Sequence, residues 1–230
     1  PDLAKHLRGL QAGLVIHTAG PFQAQDYRVA QACAEAGAHY IDLADGRRFV
    51  VDFAGRMDKT FRAAGKVAIT GASTVPALSS AVIDHLCTGW QGLDSIDFCI
   101  APAQTAPRGE ATMAAVLSYC GADIEVWHEG RWTRRRGWAQ PRRVEFARLK
   151  PRLGALCDIP DLELFPAHYG VRQRVMFRAA LEVGATQRAL AVLAALRTAG
   201  MVRRPQAWAG WMVRTAPLFD RFGSSLGGMV

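Results

Sequence analysis

No run of about eighteen uncharged apolar residues occurs in this 230-residue chain, so the sequence predicts no membrane-spanning helix and no membrane partner. The opening residues, PDLAKHLRGLQ, show neither an apolar core nor a cleavage pattern of a secretory signal. Cysteine is sparse: Cys33, Cys87, Cys99, Cys120 and Cys157 are odd in number, widely spaced and without a Cys-x-x-Cys pair. That spacing argues against a zinc cluster and a disulfide framework. Buried free thiols in a reducing, cytoplasmic setting are the expectation. The six histidines include no His-Glu-x-x-His spacing, and no Walker A loop is present. No tyrosine is followed four residues later by lysine, so a Tyr/Lys reductase pair is absent. Gly223-Ser224-Ser225-Leu226-Gly227 fits the nucleophile-elbow pattern in letters only, because no strand precedes it and no acid and histidine follow it.

What is present is an ordinary globular mixture, half apolar and 21% charged, which excludes a disordered polar tail and a small disulfide scaffold. The formal charge of +8 is uneven, with twelve Lys and Arg against five Asp and Glu in residues 148–230. Arginine dominates, and only Lys5, Lys59, Lys66 and Lys150 are lysines. The excess lies on no recognisable nucleic-acid reader, so a nucleic-acid partner is not expected. A basic surface for anions stays open as an alternative. Arg134-Arg135-Arg136, with Arg142 and Arg143 among Trp132 and Trp138, could contact phosphates, although a charged, solvated hairpin edge explains them as well.

In the first third, Leu14–Ile16, Tyr40–Leu43 and Val67–Thr70 read as short apolar strands. Between them, residues 27–36 place Val29, Ala32, Cys33 and Ala36 on one helical stripe and stop at Gly37. Residues 50–64 do the same with Phe53, Met57, Phe61 and Ala64 and stop at Gly65. Strand–helix–strand–helix–strand with short connections predicts parallel strands covered on both faces. A further helix is expected over 77–87, started by Pro76. Beyond residue 90 the pattern changes to a strand at 93–100, a helix at 111–119, a hairpin turning at Glu129-Gly130, strands near 142–146 and 171–177, and a helix at 187–197. The expected fold is α/β: the C-terminal half of a doubly wound parallel sheet in residues 1–90, then an α+β domain with a mixed sheet in 91–230.

Ligands of such sheets sit beyond the carboxyl ends of the strands. Those ends are Thr18-Ala19-Gly20-Pro21-Phe22, Asp42–Gly46 and Gly71–Pro76. Gly20 lets backbone approach a nucleotide, and Phe22 can pack on a ring. Asp42 or Asp45 could orient an ammonium or a ribose hydroxyl, or serve as a cap. Ser73 and Thr74 offer hydroxyls, or cap the following helix.

These same stretches carry a resemblance. Leu14-Val15-Ile16-His17-Thr18-Ala19-Gly20-Pro21-Phe22, Ala32-Cys33, Gly37-Ala38-His39-Tyr40-Ile41-Asp42-Leu43 and Gly71-Ala72-Ser73-Thr74-Val75-Pro76 resemble, in order and spacing, the saccharopine dehydrogenase/reductase-like oxidoreductases. The resemblance implies an NAD(P)-binding Rossmann-like domain, a second domain over the crevice, and hydride transfer between nicotinamide and a C–N bond of an amino-acid-derived small molecule. It places Thr18, Ala19, Gly20, Pro21, Phe22, Ser73 and Thr74 at the cofactor (NADP or NAD), and Tyr40 and Asp42 at the substrate. It names no general acid, since the cofactor carries the hydride chemistry.

The sequence departs from the family in having no G-x-G-x-x-G loop, and His17 stands where the family often has a small polar residue. The likeness begins near the family's fourth strand, so an N-terminally incomplete member is expected. With no helix N-terminus for the pyrophosphate, weak or no dinucleotide binding by this chain follows. The β-edge at Leu14–Ile16 is expected to be unpaired and prone to association. A homodimer, or a non-catalytic interaction module, stays open beside the enzyme reading.

Overall fold

A computed structural model describes residues 2–230. The chain divides into two compact units, one of residues 1–91 with Ile159–Leu164, the other of Gly92–Asp158 with Phe165–Val230.

The first unit opens with α1 (Leu3–Gly9), whose N-terminus is capped by the Asp2 side chain accepting from the Lys5 N–H. Then come β1 (Leu14–His17), α2 (Arg28–Ala36), β2 (His39–Asp42), α3 (Arg47–Ala63), β3 (Ala68–Ile69) and α4 (Ser79–Leu86). The strands lie in the order β1-β2-β3 and both pairings are parallel, with Ile16 opposite Ile41 and Ile41 opposite Ile69. Helix α2 ends where Gly37 takes a left-handed φ of 74°, as its position after the last stripe residue predicts. The core joins Ala4 and Leu7 of α1, Ala30 and Cys33 of α2, and Phe49, Phe53, Met57 and Phe61 of α3 with Tyr40 and, partly buried, Val15 and Ala68 of the sheet. Burial of these aromatic side chains is the main stabilising contribution to the unit.

The expectation of a sheet covered on both faces is corrected here. Leu14, Ile16, Leu43, Val67 and Ile69 are exposed, and the three helices of the core gather on the other face. The reason is topological. Crossovers of one hand that step in one direction across a sheet set their helices on one side, and the other side is covered only where the strand order reverses.

The second unit contains β4 (Ser95–Ala101), α5 (Glu110–Tyr119), β5 (Asp123–His128), β6 (Arg131–Arg136), β7 (Arg142–Val144), β8 (Arg152–Leu156), β9 (Arg174–Ala179), α7 (Gly184–Thr198), α8 (Ala209–Thr215) and β10 (Gly228–Met229); α6 (Asp161–His168) begins in the first unit's segment. Its sheet is mixed: β4 and β9 are parallel, and β10, β5, β6 and β8 add antiparallel pairings. The hairpin turns at Glu129 and Gly130, both with positive φ. Arg134 and Arg136 pair across it with Glu125 and Asp123, at 3.8 and 2.8 Å, which is how an edge strand is kept soluble. All five cysteines are free thiols and four are buried; burial pushes Cys33 and Cys99 up to about 11 and Cys120 to about 12. No helix among the described residues is long and apolar enough to cross a membrane.

Candidate functional site

The three strand ends meet at one rim of the first unit. The Leu43 N–H donates to the His17 carbonyl at 3.3 Å, joining β1 to β2, and the Ala72 N–H donates to the Asp42 carbonyl at 2.9 Å, joining β2 to the segment after β3. The Asp42 side chain strengthens this join. Its Oδ1 accepts from the Ala44 N–H at 2.9 Å, the Gly71 N–H at 2.8 Å and the Thr70 hydroxyl at 3.0 Å. Asp42 is fully buried, and its Oδ2 has no hydrogen-bond partner among the described residues.

Two glycines permit the close approach of the loops. At Gly46 a Cβ would stand 2.9 Å from the Phe22 carbonyl carbon, so a side chain there would part the β1 loop from the start of α3. Gly71 has φ of +71° and would place a Cβ 2.9 Å from the Pro76 ring. The peptide bonds Gly20–Pro21 and Val75–Pro76 are cis.

The expected site residues fall into two groups. Thr18, Ala19, Pro21 and Thr74 are exposed, and Gly20 and Ser73 partly so, along the open lip. The Gln25 amide braces the first loop by donating to the Ala19 and Pro21 carbonyls, at 2.5 and 3.1 Å. Phe22, Tyr40 and Asp42 lie beneath, buried. Phe22 meets His17 edge-on at 5.0 Å and Phe49 at 5.3 Å, so its ring is held by the protein. The Tyr40 ring stacks on Phe53 at 5.7 Å, and its hydroxyl is 2.9 Å from His17 Nδ1. Ser73 makes no side-chain capping bond to the turn that follows it.

His17 is the residue beneath the rim to which sequence reasoning gave no role. Burial lowers its pKa, opposed in part by the Asp42 charge and a bond to the Ala19 backbone. The imidazole is thereby held neutral, with Nδ1 able to accept the Tyr40 proton. Burial, and then the Asp42 charge, raise Tyr40 in turn. Asp45 is raised by burial against the Gln23 amide, which donates to its Oδ1 at 3.1 Å. The advance signals for His17 were its position at the end of a strand and its departure from the small polar residue that the resembled family often has there.

A second buried carboxyl lies in the same unit. Asp161, fully buried, bonds the Ser79 hydroxyl at the start of α4, and the Ser79 hydroxyl is also 3.0 Å from the Pro76 carbonyl. Burial pushes Asp161 up to about 6. Beside it Glu163 binds Arg47 at 2.8 Å and also Arg48. Burial opposes the Glu163 charge, but the two arginines outweigh it and hold the carboxyl below its usual range. No cluster of metal-ligating side chains occurs among the described residues.

Three parallel strands whose carboxyl ends meet at one rim, followed by a mixed sheet with helices, define a Rossmann-like α/β protein. No protein-family model matches the chain, and no curated protein matches it. Among solved structures it is similar to the apo form of histidine-tagged saccharopine dehydrogenase (L-Glu forming) from Saccharomyces cerevisiae. The two are 12% identical, with a TM-score of 0.53 over 77% of this chain. The match spans 42% of that enzyme's chain. The likeness is one of fold.

Proposed function

We propose that this chain is the nicotinamide-side portion of an NAD(P)-dependent oxidoreductase acting on a C–N bond of an amino-acid-derived small molecule. The observation that carries the reading is the convergence of three parallel strand ends at one rim, tied through Asp42, in a fold shared with a saccharopine dehydrogenase. The open lip suits the redox half of a dinucleotide. It offers backbone at Thr18–Pro21 and hydroxyls at Ser73 and Thr74, with Gly20 leaving room for a ring to approach. It does not suit the pyrophosphate, because no glycine-rich loop opens a helix toward it. Bound there, the nicotinamide would supply the hydride chemistry.

The chain's own part is positional. Phe22 and Tyr40 make a firm floor, the His17–Tyr40 bond holds the two rings in place, and Asp42 fixes the spacing of the loops. Tyr40 and Asp42 act on a substrate through this scaffold, since their side chains are buried. Nuclear magnetic resonance titration with NADP and NAD tests the proposal. The amides of Thr18, Ala19, Gly20, Ser73 and Thr74 are expected to shift together, saturating only at roughly millimolar ligand because the phosphates are unsupported. Shifts confined to other residues would overturn the site. Micromolar saturation would overturn the account of the missing phosphate loop.

A further inference from the structure

The last thirty residues of the second unit form a surface that the rim does not explain. Residues 205–222 are a continuous helical stretch, built of a 3-10 turn (Pro205–Trp208), α8, and a second 3-10 turn (Ala216–Phe222). It packs against α5 through its inner side, where Pro205 and Ala209 are buried. Its outer side carries Trp208, Trp211, Leu218 and Phe222, at spacings of three, seven and four residues. Trp211, Leu218 and Phe222 are 67%, 68% and 61% exposed. Bulky apolar groups at this exposure, gathered on one stretch, mark an interaction surface and not ordinary solvent-facing scatter.

Charge decides what the surface fits. Arg203 and Arg204 just before the stretch and Arg214 and Arg221 within it are all exposed, and the Arg221 guanidinium lies 4.7 Å over the Phe222 ring. Its one carboxylate, Asp220, receives the Gln104 amide at 3.1 Å and Arg108 at 3.4 Å. Across on α5, Glu110 stands beside Gly210 at the inner side. A second copy of this chain, docked two-fold on the same patch, would bring the four arginines against their own copies. An anionic lipid surface meets them with opposite charge and offers an interfacial zone in which tryptophan is favoured. The stretch is too short and too interrupted, by Pro217 and two 3-10 turns, to span a bilayer.

We infer that Trp208, Trp211, Leu218 and Phe222, flanked by Arg203, Arg204, Arg214 and Arg221, seat the second unit on the surface of an anionic phospholipid membrane. The contact is interfacial: rings and Leu218 enter the headgroup boundary and the guanidinium groups meet phosphates. It differs from the expectation of no membrane partner and needs no spanning helix, none being found among the described residues.

Co-sedimentation of the chain with vesicles tests this. The probes are pure phosphatidylcholine and phosphatidylcholine containing about one-third phosphatidylglycerol. Binding is expected on the anionic vesicles, roughly tenfold weaker on the neutral ones, and weakened by about 0.5 M salt. The double variant Trp211→Ser, Leu218→Ser changes only exposed positions and is expected to lower anionic-vesicle binding at least roughly tenfold with an unchanged circular dichroism spectrum. Arg203→Gln with Arg204→Gln is expected to remove most of the salt dependence. Ile16→Ser, on the bare face of the first unit, is expected to leave binding as it was. Equal binding to both vesicles, no binding to either, or a loss caused by Ile16→Ser would overturn the inference. So would light scattering that shows a dimer abolished by Trp211→Ser, Leu218→Ser without vesicle binding, which would assign the surface to a second copy.

Discussion

Replacing Asp161 by asparagine isolates what one buried proton contributes. The Ser79 hydroxyl has one proton and two acceptors in reach, the Pro76 carbonyl and Asp161. When Asp161 is protonated, it donates to Ser79 and Ser79 donates to Pro76, so the hydroxyl serves both neighbours, while Asp161 Oδ2 stays without a partner among the described residues. When it is ionised, Ser79 turns to the carboxylate, and Pro76 keeps the Ser80 hydroxyl at 2.7 Å. Burial favours the neutral form and pushes the group from 3.8 to about 6. The sign follows: the folded state holds the proton more tightly than the unfolded one. The stabilisation is complete below about pH 4 and is lost as pH rises through about 6. A rise of about two pH units corresponds to about 3 kcal/mol. Asparagine keeps the relay at every pH, because its amide donates to Ser79. Urea denaturation followed by circular dichroism, from about pH 4 to 8, gives the difference between the two proteins. The expected result is near equality at the acid end and an Asp161→Asn advantage of about 3 kcal/mol at the alkaline end. A difference that does not change with pH, or that changes in the opposite direction, would refute the reasoning.

Other perturbations read the same structure. Gly46→Ala places a methyl group against the Phe22 backbone and is expected to cost about 1–3 kcal/mol, seen as a lower denaturation midpoint. Tyr40→Phe keeps the stack on Phe53 and loses the bond to His17; about 1–2 kcal/mol is expected by the same assay. A chromogenic thiol reagent should titrate Cys87 rapidly in the native protein and the four buried cysteines only after denaturation. Rapid reaction of a second thiol would show that one of those four is open to solvent.

The first unit was legible wherever a short-range signal existed. The stripes at Val29–Ala36 and Phe53–Ala64, each closed by a glycine, gave α2 and α3, and the short apolar runs around them gave parallel strands. Helix α6 was hidden because Pro166 lies inside it and argued against a helix. Strand β8 was hidden because Arg152, which reads as a surface residue, is buried, donating to the Pro102 and Leu226 carbonyls, and because Gly154 interrupts the strand. The rim residues were legible as loop tips, but the burial of Phe22, Tyr40 and Asp42 was not. Phe22 looked available to a ligand ring, and its partner Phe49 lies twenty-seven positions away. Asp161 gave no signal at all, since Ser79 is eighty-two positions distant. The bare sheet face was also beyond a reading that took the alternation of strands and helices as evidence of cover on both faces.

The short segment Ile159–Leu164 sets the order in which the chain can be finished during synthesis. It returns to the first unit after about half of the second has been passed, carrying Asp161 to Ser79, Glu163 to Arg47 and Leu164 to the aromatic core. A nascent chain stopped at residue 91 therefore holds its three strands and four helices but lacks Asp161, Glu163 and Leu164. Whoever cuts the gene at that boundary obtains a unit with an open seam, which closes only when residue 164 has left the ribosome.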